Sequence, residues 1–219
     1  MKSILQSIPA IYKRVSTRVF EEKSIPEEAI KEILTAGTMA PSSGNMQPWE
    51  FVVIENPEMK AEIVKFTFSG YYSKGANHQN WIQQAGIIIV ACANVKRTVA
   101  RYGESGKEWA MIDVAACVEN MFLTATALGL SGCWVGGFNE QKLKNLLNIP
   151  IYVKPIGLLP LGYAGEEAAH KTRISLKWVT HKNQYNTPYF KHDGERGEQP
   201  KVNTKGDIND IILKRGNAE

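Results

Sequence analysis

The chain has 219 residues, enough for one domain, or one domain with a tail, around a sizeable core. Hydrophobic residues are 43% and charged residues 22% of the chain, which excludes a wholly disordered, collagen-like or low-complexity protein. A net charge of +4 is too mild to specify a polyanionic partner. Residues 181–219, with seven Lys/Arg against six Asp/Glu, form no basic arm, so no nucleic-acid partner is expected.

Ile4, Leu5, Ile8 and Ile11 recur at helical spacing and predict a helix from Ser3 to about Tyr12. The same segment lacks a continuous apolar stretch before a small-residue cleavage site. No signal peptide is expected, and the cytoplasm is the expected compartment. Pro26 suits a first helical position, with Glu27 and Glu28 in the first turn, Ala29, Ile30, Ile33 and Leu34 as the apolar stripe and Gly37 near the end. Trp49–Glu55 reads as a strand. Asn56-Pro57 caps and opens a helix with Met59, Ile63 and Phe66 on one face. The run Gly86–Ala93 (GIIIVACA) is apolar on both faces, which predicts a central, covered strand.

Trp109–Leu128 predicts a long helix that is apolar nearly all round, for the core or for an interface. The surrounding apolar run, Met111–Leu130, has the length to span a bilayer but carries Asp113, Glu119 and Asn120, so no membrane is expected. Cys133–Val135 is a short strand candidate. Asn139 caps a helix through Leu147. Lys154–Gly162 predicts a strand broken or bent by its prolines. Asn183–Gly206 is polar and rich in Gly, Pro and charge, and Asp207–Arg215 has the pattern of a short helix. The elements alternate unevenly, so the fold class is α/β or α+β. No strand is followed by G-x-G-x-x-G, so a Rossmann dinucleotide site is not indicated. Cys92, Cys117 and Cys133 are far apart in apolar contexts and read as buried hydrophobes. The four histidines show no ligand spacing, and no metal site is expected.

Three segments carry polar groups suited to a ligand. Arg14, Ser16 and Arg18 alternate, so an extended backbone points two guanidinium groups and a hydroxyl the same way, a donor set suited to phosphate. A solvated basic turn would have the same spacing. Ala40–Trp49 (APSSGNMQPW) packs Ser, Ser, Asn and Gln between prolines and a glycine, as either a ligand-reading loop or an ordinary connection. Leu130–Phe138 (LSGCWVGGF) pairs glycines that admit close approach to the backbone, and Lys171 and Arg173 alternate further on.

Taken in order, R-V-S-T-R-V-F, A-P-S-S-G-N-M-Q-P-W, A-L-G-L-S-G-C-W-V-G-G-F and L-P-L-G-Y with K-T-R behind it resemble the nitroreductase family of FMN-dependent oxidoreductases. The resemblance covers about Ser3 to His181. It implies an α+β fold with a central, mostly antiparallel sheet flanked by helices, in an intertwined homodimer. The FMN-binding domain would be residues 1–182. Residues 183–219 would be an extension packing on the domain or on the partner subunit.

By the same resemblance, Arg14, Ser16 and Arg18 match the motif for the FMN phosphate and ribityl chain, and Lys171 and Arg173 match the basic pair that completes the phosphate site. Pro41, Ser42, Ser43 and Asn45 match the loop that reaches the flavin from the other subunit. Gly136 and Gly137 match the turn beside flavin N5, and Asn77 matches a contact to the pyrimidine edge. No side chain is assigned as catalytic, because the flavin carries the chemistry. The implied reaction is ping-pong hydride transfer from NADH or NADPH through flavin N5 to a small-molecule electron acceptor such as a nitroaromatic, quinone or similar conjugated compound. Two other readings stay open. One is a specialised flavoenzyme of the same fold, such as a reductive dehalogenase or a flavin-consuming enzyme. The other is an FMN-binding protein without turnover. Val15 stands where many members carry Arg or His.

Overall fold

A four-stranded antiparallel sheet organises the larger part of the chain. The computed structural model describes residues 8–69 and 77–190. In chain order the elements are α1 (Pro9–Lys13), α2 (Glu27–Thr38), β1 (Trp49–Ile54), α3 (Pro57–Val64), β2 (Ile87–Asn94), α4 (Val95–Tyr102), α5 (Ser105–Ala127), β3 (Ser131–Gly132), α6 (Glu140–Leu147), β4 (Val153–Gly162) and α7 (Leu176–Val179). The strands lie in the order β1-β2-β4-β3, and every pair is antiparallel. The fold is α+β. The chain divides into two compact units, Met1–His170 and Lys171–Glu219. The sequence reading puts the boundary after residue 182.

β2 explains the architecture of the first unit. Ile87, Ile89, Ala91 and Ala93 point to one face and pack with α2 and α5, through Ile30, Ile33, Val114, Cys117, Val118 and Met121. Ile88, Val90 and Cys92 point to the other face and pack with α3 and α6, through Ile63, Val64 and Leu143. An apolar run with period-two alternation buries both faces only if helices cover both. Each fully buried Ile, Leu or Val contributes about 1.5–3 kcal/mol relative to exposure, which favours this covered position for β2.

Several expected boundaries hold closely. The Asn56 side chain accepts from the Met59 N–H at 2.7 Å, and the Asn139 side chain from the Lys142 N–H at 2.9 Å, so both caps form. Pro26 stands just outside α2, with an extended ψ of 141°, rather than at its first helical position. Gly37 lies inside the last turn of α2, where a Cβ would stand 2.9 Å from Cys117 Sγ and Met121 Cγ.

Other expectations are corrected. The paired strand is Ser131–Gly132, not Cys133–Val135; Val135 makes only an isolated bridge to Leu158. A Cβ at position 132 would stand 2.5 Å from both the Pro160 carbonyl oxygen and Leu161 Cδ2, so the chain approaches β4 where it carries glycine. β4 is continuous through Pro155 and Pro160. Its irregularity is one residue, Ile156, left between the Cys92–Pro155 and Ala91–Gly157 pairs. α4 is not among the expected elements, although Val95, Thr98, Val99 and Tyr102 recur at helical spacing and form its inward stripe. Its buried residue is Thr98, whose backbone lies against Gly106 of α5. The expected helices at Ser3–Tyr12 and Asp207–Arg215 fall partly and wholly outside the described residues.

α5, with 23 residues, is long and apolar enough to cross a membrane by length and composition. It packs instead through Ala110, Val114, Cys117, Val118, Met121, Phe122 and Ala125 into the core on one face of the sheet. Lys60 on α3 is buried, and its ammonium donates to the Ala85 carbonyl at 2.7 Å and the Gly86 carbonyl at 3.3 Å, ahead of β2. Burial lowers its pKa from the usual lysine value.

The second unit is short in its described part. Ser175 precedes α7. The Lys182 N–H donates to the Thr187 carbonyl at 2.7 Å, and His181 bridges Pro188, so residues 181–188 form a turn with the rings of His181 and Tyr185 4.4 Å apart.

The three cysteines are buried and free. Burial pushes the Cys117 thiol up to about 12. Burial, with the Glu50 carboxylate adding, does the same for Cys92, against a partly opposing Lys144. An unfolded chain releases these thiol protons near pH 9 while the folded chain holds them, so stability falls as pH rises from about 9 toward 12. Replacing Cys117 with Ala should flatten this alkaline fall by up to about 1.4 kcal/mol per pH unit, read as unfolding free energy from denaturant titrations at pH 8 to 11. An unchanged slope would exclude Cys117 as a source.

Candidate functional site

Residues 14–20 leave α1 in an extended conformation and run beside β3. Ser16 forms a parallel bridge with Gly132, and the Thr17 N–H donates to the Gly132 carbonyl at 3.0 Å. Thr17 and Phe20 turn inward and are buried, while Ser16 and Arg18 are exposed and Arg14 is half-buried. Burial alternates only over Ser16, Thr17 and Arg18; Val19 is exposed beside Arg18, and Val15 is half-buried like Arg14. The Arg14 Nε lies 3.8 Å from Glu119 Oε1 on α5, and the Arg18 guanidinium lies 5.9 Å from the ring centre of Trp81. Thr17 Oγ1 is buried without a hydrogen-bond partner among the described residues.

Four residues beyond Gly132, the chain reaches Gly136 and Gly137. Gly136 is exposed, and neither glycine N–H donates a hydrogen bond among the described residues. The Gly137 carbonyl accepts from the Phe68 N–H at 2.8 Å, and a Cβ there would overlap the Phe68 carbonyl oxygen. The same strip holds Asn77, because the Ser69 N–H donates to the Asn77 carbonyl at 3.0 Å. Gln79 Nε2 donates to the Phe68 carbonyl at 3.0 Å and toward the Gly137 carbonyl at 3.5 Å. Asn77 and the glycine turn are thus tied to one strip, Thr67–Ser69. Trp134 is partly exposed, and its indole packs where a Cβ at Gly157 would stand 3.0 Å away.

The Pro41–Asn45 loop is built differently from its neighbours. Ser43–Asn45 forms a single 3₁₀ turn. Gly44, Asn45 and Gln47 have φ of 54°, 59° and 47°, left-handed values that glycine adopts freely and that Asn tolerates better than most other residues. Asp113 of α5 holds this backbone. Its two carboxylate oxygens accept from the Ser43 N–H at 3.1 and 3.0 Å, and Oδ1 also lies 3.1 Å from Ser43 Oγ. Asp113 is 6% exposed. A buried carboxylate without such donors would be strongly unfavourable, so the loop and the helix stabilise each other. From α4, Arg101 donates to the Gly44 carbonyl at 3.1 Å, and Arg97 donates to the Gln47 carbonyl at 2.7 Å and to Glu50 at 2.6 Å.

Sequence reasoning missed Asp113, Arg97 and Arg101. The only signal for Asp113 was an acidic residue in an apolar helix. Asp113 and Glu119 are six residues apart on α5, about 9 Å of helix rise. One helix thus touches both the Ser43 loop and Arg14.

Lys171 and Arg173 belong to the second unit and are exposed. Arg173 Nη1 donates to the Lys171 carbonyl at 3.0 Å. Among the described residues no group of three or more His, Cys, Asp or Glu could hold a metal ion.

Residues 14–18 carry guanidinium and hydroxyl groups of the kind that bind phosphate, the Gly136 and Gly137 N–H groups donate to no other group among the described residues, and the 42–45 turn is polar and held by Asp113.

The model of the nitroreductase family matches residues 11–163, more than two thirds of the chain. A protein of Archaeoglobus fulgidus is 32% identical over 167 residues, spanning 74% of this chain and 87% of its own length; its name, itself provisional, pairs NADH dehydrogenase with NAD(P)H nitroreductase. A Bacillus subtilis protein named FMN reductase (NADPH) is 26% identical over 202 residues, spanning 85% of this chain and 78% of its own. The crystal structure of a nitroreductase family protein from Clostridium novyi superposes with a TM-score of 0.64 at 28% identity, over 83% of this chain and 95% of its own. With the motifs in family order, the same fold and a family match across the sheet and both glycine segments, the chain belongs to the nitroreductase family.

Proposed function

We propose that the protein is an NAD(P)H-dependent FMN oxidoreductase, passing a hydride from NADH or NADPH to a nitroaromatic, quinone or similar conjugated small molecule by a ping-pong scheme. The observation that supports the reading is the exposure of Ser16 and Arg18, with Arg14 half-buried just before them, on a segment bridged at Ser16 to Gly132, ahead of Gly136 and Gly137. FMN, when bound, supplies hydride acceptance and donation at its ring. The chain's own residues bind and orient it. Arg14 and Arg18 hold the phosphate, with Ser16 on the phosphate or ribityl chain. The Gly136 and Gly137 N–H groups would serve as donors to the flavin ring at its reactive nitrogen. Pro41, Ser42, Ser43 and Asn45 present a prearranged polar edge, and Asn77 would contact the pyrimidine part of the ring. Donors aimed at the ring favour the more negative reduced flavin without any side-chain acid.

The protein is proposed to act as a homodimer. Ile8, just ahead of α1, Ile11 and Tyr12 of α1, and Trp109 and Ile112 of α5 are exposed, the last 66% exposed, apolar surface of the kind a second copy covers.

The purified protein should be yellow and release about one FMN per chain on heating. Arg14→Ala and Arg18→Ala together should cut the bound flavin while far-UV circular dichroism stays unchanged; full flavin content would refute the phosphate assignment. The holoprotein should oxidise NADH or NADPH in the presence of a nitroaromatic or quinone, and absence of turnover with every acceptor class would refute the enzymatic reading. Ile112→Glu should shift the sedimentation coefficient from dimer to monomer. A variant that stays dimeric would move the interface away from α5.

A further inference from the structure

We infer that the two serines of the Pro41–Asn45 loop carry opposite hydrogen-bond polarity toward the ligand, Ser42 as donor and Ser43 as acceptor, and that Asp113 is the positioning residue that sets it. This rests on the FMN reading above.

A serine hydroxyl has one proton and two lone pairs, whereas a carboxylate only accepts. Ser43 Oγ lies 3.1 Å from Asp113 Oδ1, so its proton goes to Asp113 and only lone pairs remain for a ligand. Ser42 is arranged the other way. Its Oγ accepts from the Gln47 N–H at 3.0 Å, which leaves its proton free to donate. Asn45 Oδ1 accepts from Gln47 Nε2 at 3.2 Å, which leaves the Asn45 amide hydrogens as a second donor. The loop cannot easily exchange these roles. Its backbone is held by the bifurcated Ser43 N–H bond to Asp113 and by Arg101 and Arg97 on the carbonyls of Gly44 and Gln47. Asp113 is fixed in turn by its place on the buried side of α5.

Ser42 and Asn45 therefore face acceptor oxygens of the ligand. Ser43 requires a donor. In FMN that donor is the imide N–H of the ring or a hydroxyl of the ribityl chain, and both satisfy the same acceptor.

The test is FMN titration of the flavin-stripped protein, followed by flavin fluorescence, with thermal melts as the control for folding. In Asp113→Asn an amide N–H₂ replaces one acceptor oxygen, so the Ser43 hydroxyl is free to reverse. FMN affinity should fall about tenfold in the wild-type background. In the Ser43→Ala background the same change should cost less than about twofold, because the hydroxyl through which Asp113 acts is gone. Equal losses in both backgrounds would show that Asp113 acts through the backbone alone and would overturn the inference. So would an Asp113→Asn protein that binds FMN as the wild type does.

Should Asp113→Asn fail to fold, Ser43→Thr and Ser43→Ala decide. Thr keeps the hydroxyl and should bind within about twofold of wild type, while Ala should lose about tenfold. Equal binding by the two would overturn the inference. With Ser43→Ala weakened, 3-methyl-FMN names the donor. Poor binding of this analogue to wild type assigns the ring N–H, and normal binding assigns a ribityl hydroxyl; each agrees with Ser43 as acceptor. A wild-type protein that binds no FMN overturns the cofactor reading, and the inference with it. A wild type that binds FMN while the variants are indifferent overturns the inference alone.

Discussion

The burial of β2 on both faces is the constraint from which the rest of the first unit follows. Ile87, Ile88, Ile89, Val90, Ala91, Cys92 and Ala93 are all nearly inaccessible, and a strand is buried on both faces only between two layers of helix. α2 and α5 must lie on one face and α3 and α6 on the other. Partners β1 and β4 then occupy both edges of β2, which leaves β4 to carry β3 on its far side. β3 in turn offers its outer edge to Ser16. The position of Ser16 beside Gly132 is thus a consequence of how the core closes.

The buried carboxylate of Asp113 is the second constraint. Desolvating it is costly unless donors surround it, and among the described residues those donors all come from Ser43. A turn with three left-handed residues between positions 44 and 47 would be poorly populated as an isolated peptide. Asp113 from below and the Arg97 and Arg101 guanidinium groups from α4 fasten it before any ligand arrives. Preorganisation of this kind reduces the ordering cost of binding. It also gives the α4–α5 pair a role: Gly106 lets α5 approach the backbone of Thr98 closely, and that approach sets where Arg97, Arg101 and Asp113 stand.

Local signals were read well where the governing interaction is local. The Asn56 and Asn139 caps and the GIIIVACA strand depend on spacing of two to four residues, which a sequence displays directly. The misreadings share a cause. β3 was placed two residues late because an apolar Cys-Trp-Val looks more strand-like than Ser-Gly. The actual pairing depends on the clearance between Gly132 and the Pro160 carbonyl. α4 is short, and its inward stripe of Val95, Thr98, Val99 and Tyr102 mixes polar with apolar groups between three basic residues, so it stands out less than the long apolar runs beside it. β4 runs through two prolines because its irregularity is absorbed by one unpaired residue, Ile156.

The sequence by itself determined the family, through four motifs in order, and with it the candidate ligand residues. It also determined the central strand, because a long β-branched run apolar on both faces has few other stable placements. Only the tertiary structure decided that Asp113, 70 residues from Ser43, is the group that fastens the ligand-facing loop. It alone decided that Ser43 Oγ meets a carboxylate oxygen while Ser42 Oγ accepts from the Gln47 N–H. The physical reason is that hydrogen-bond polarity and the stability of a buried charge depend on which partners the fold brings within 3 Å or so, and residues distant in sequence leave no periodic trace of that encounter.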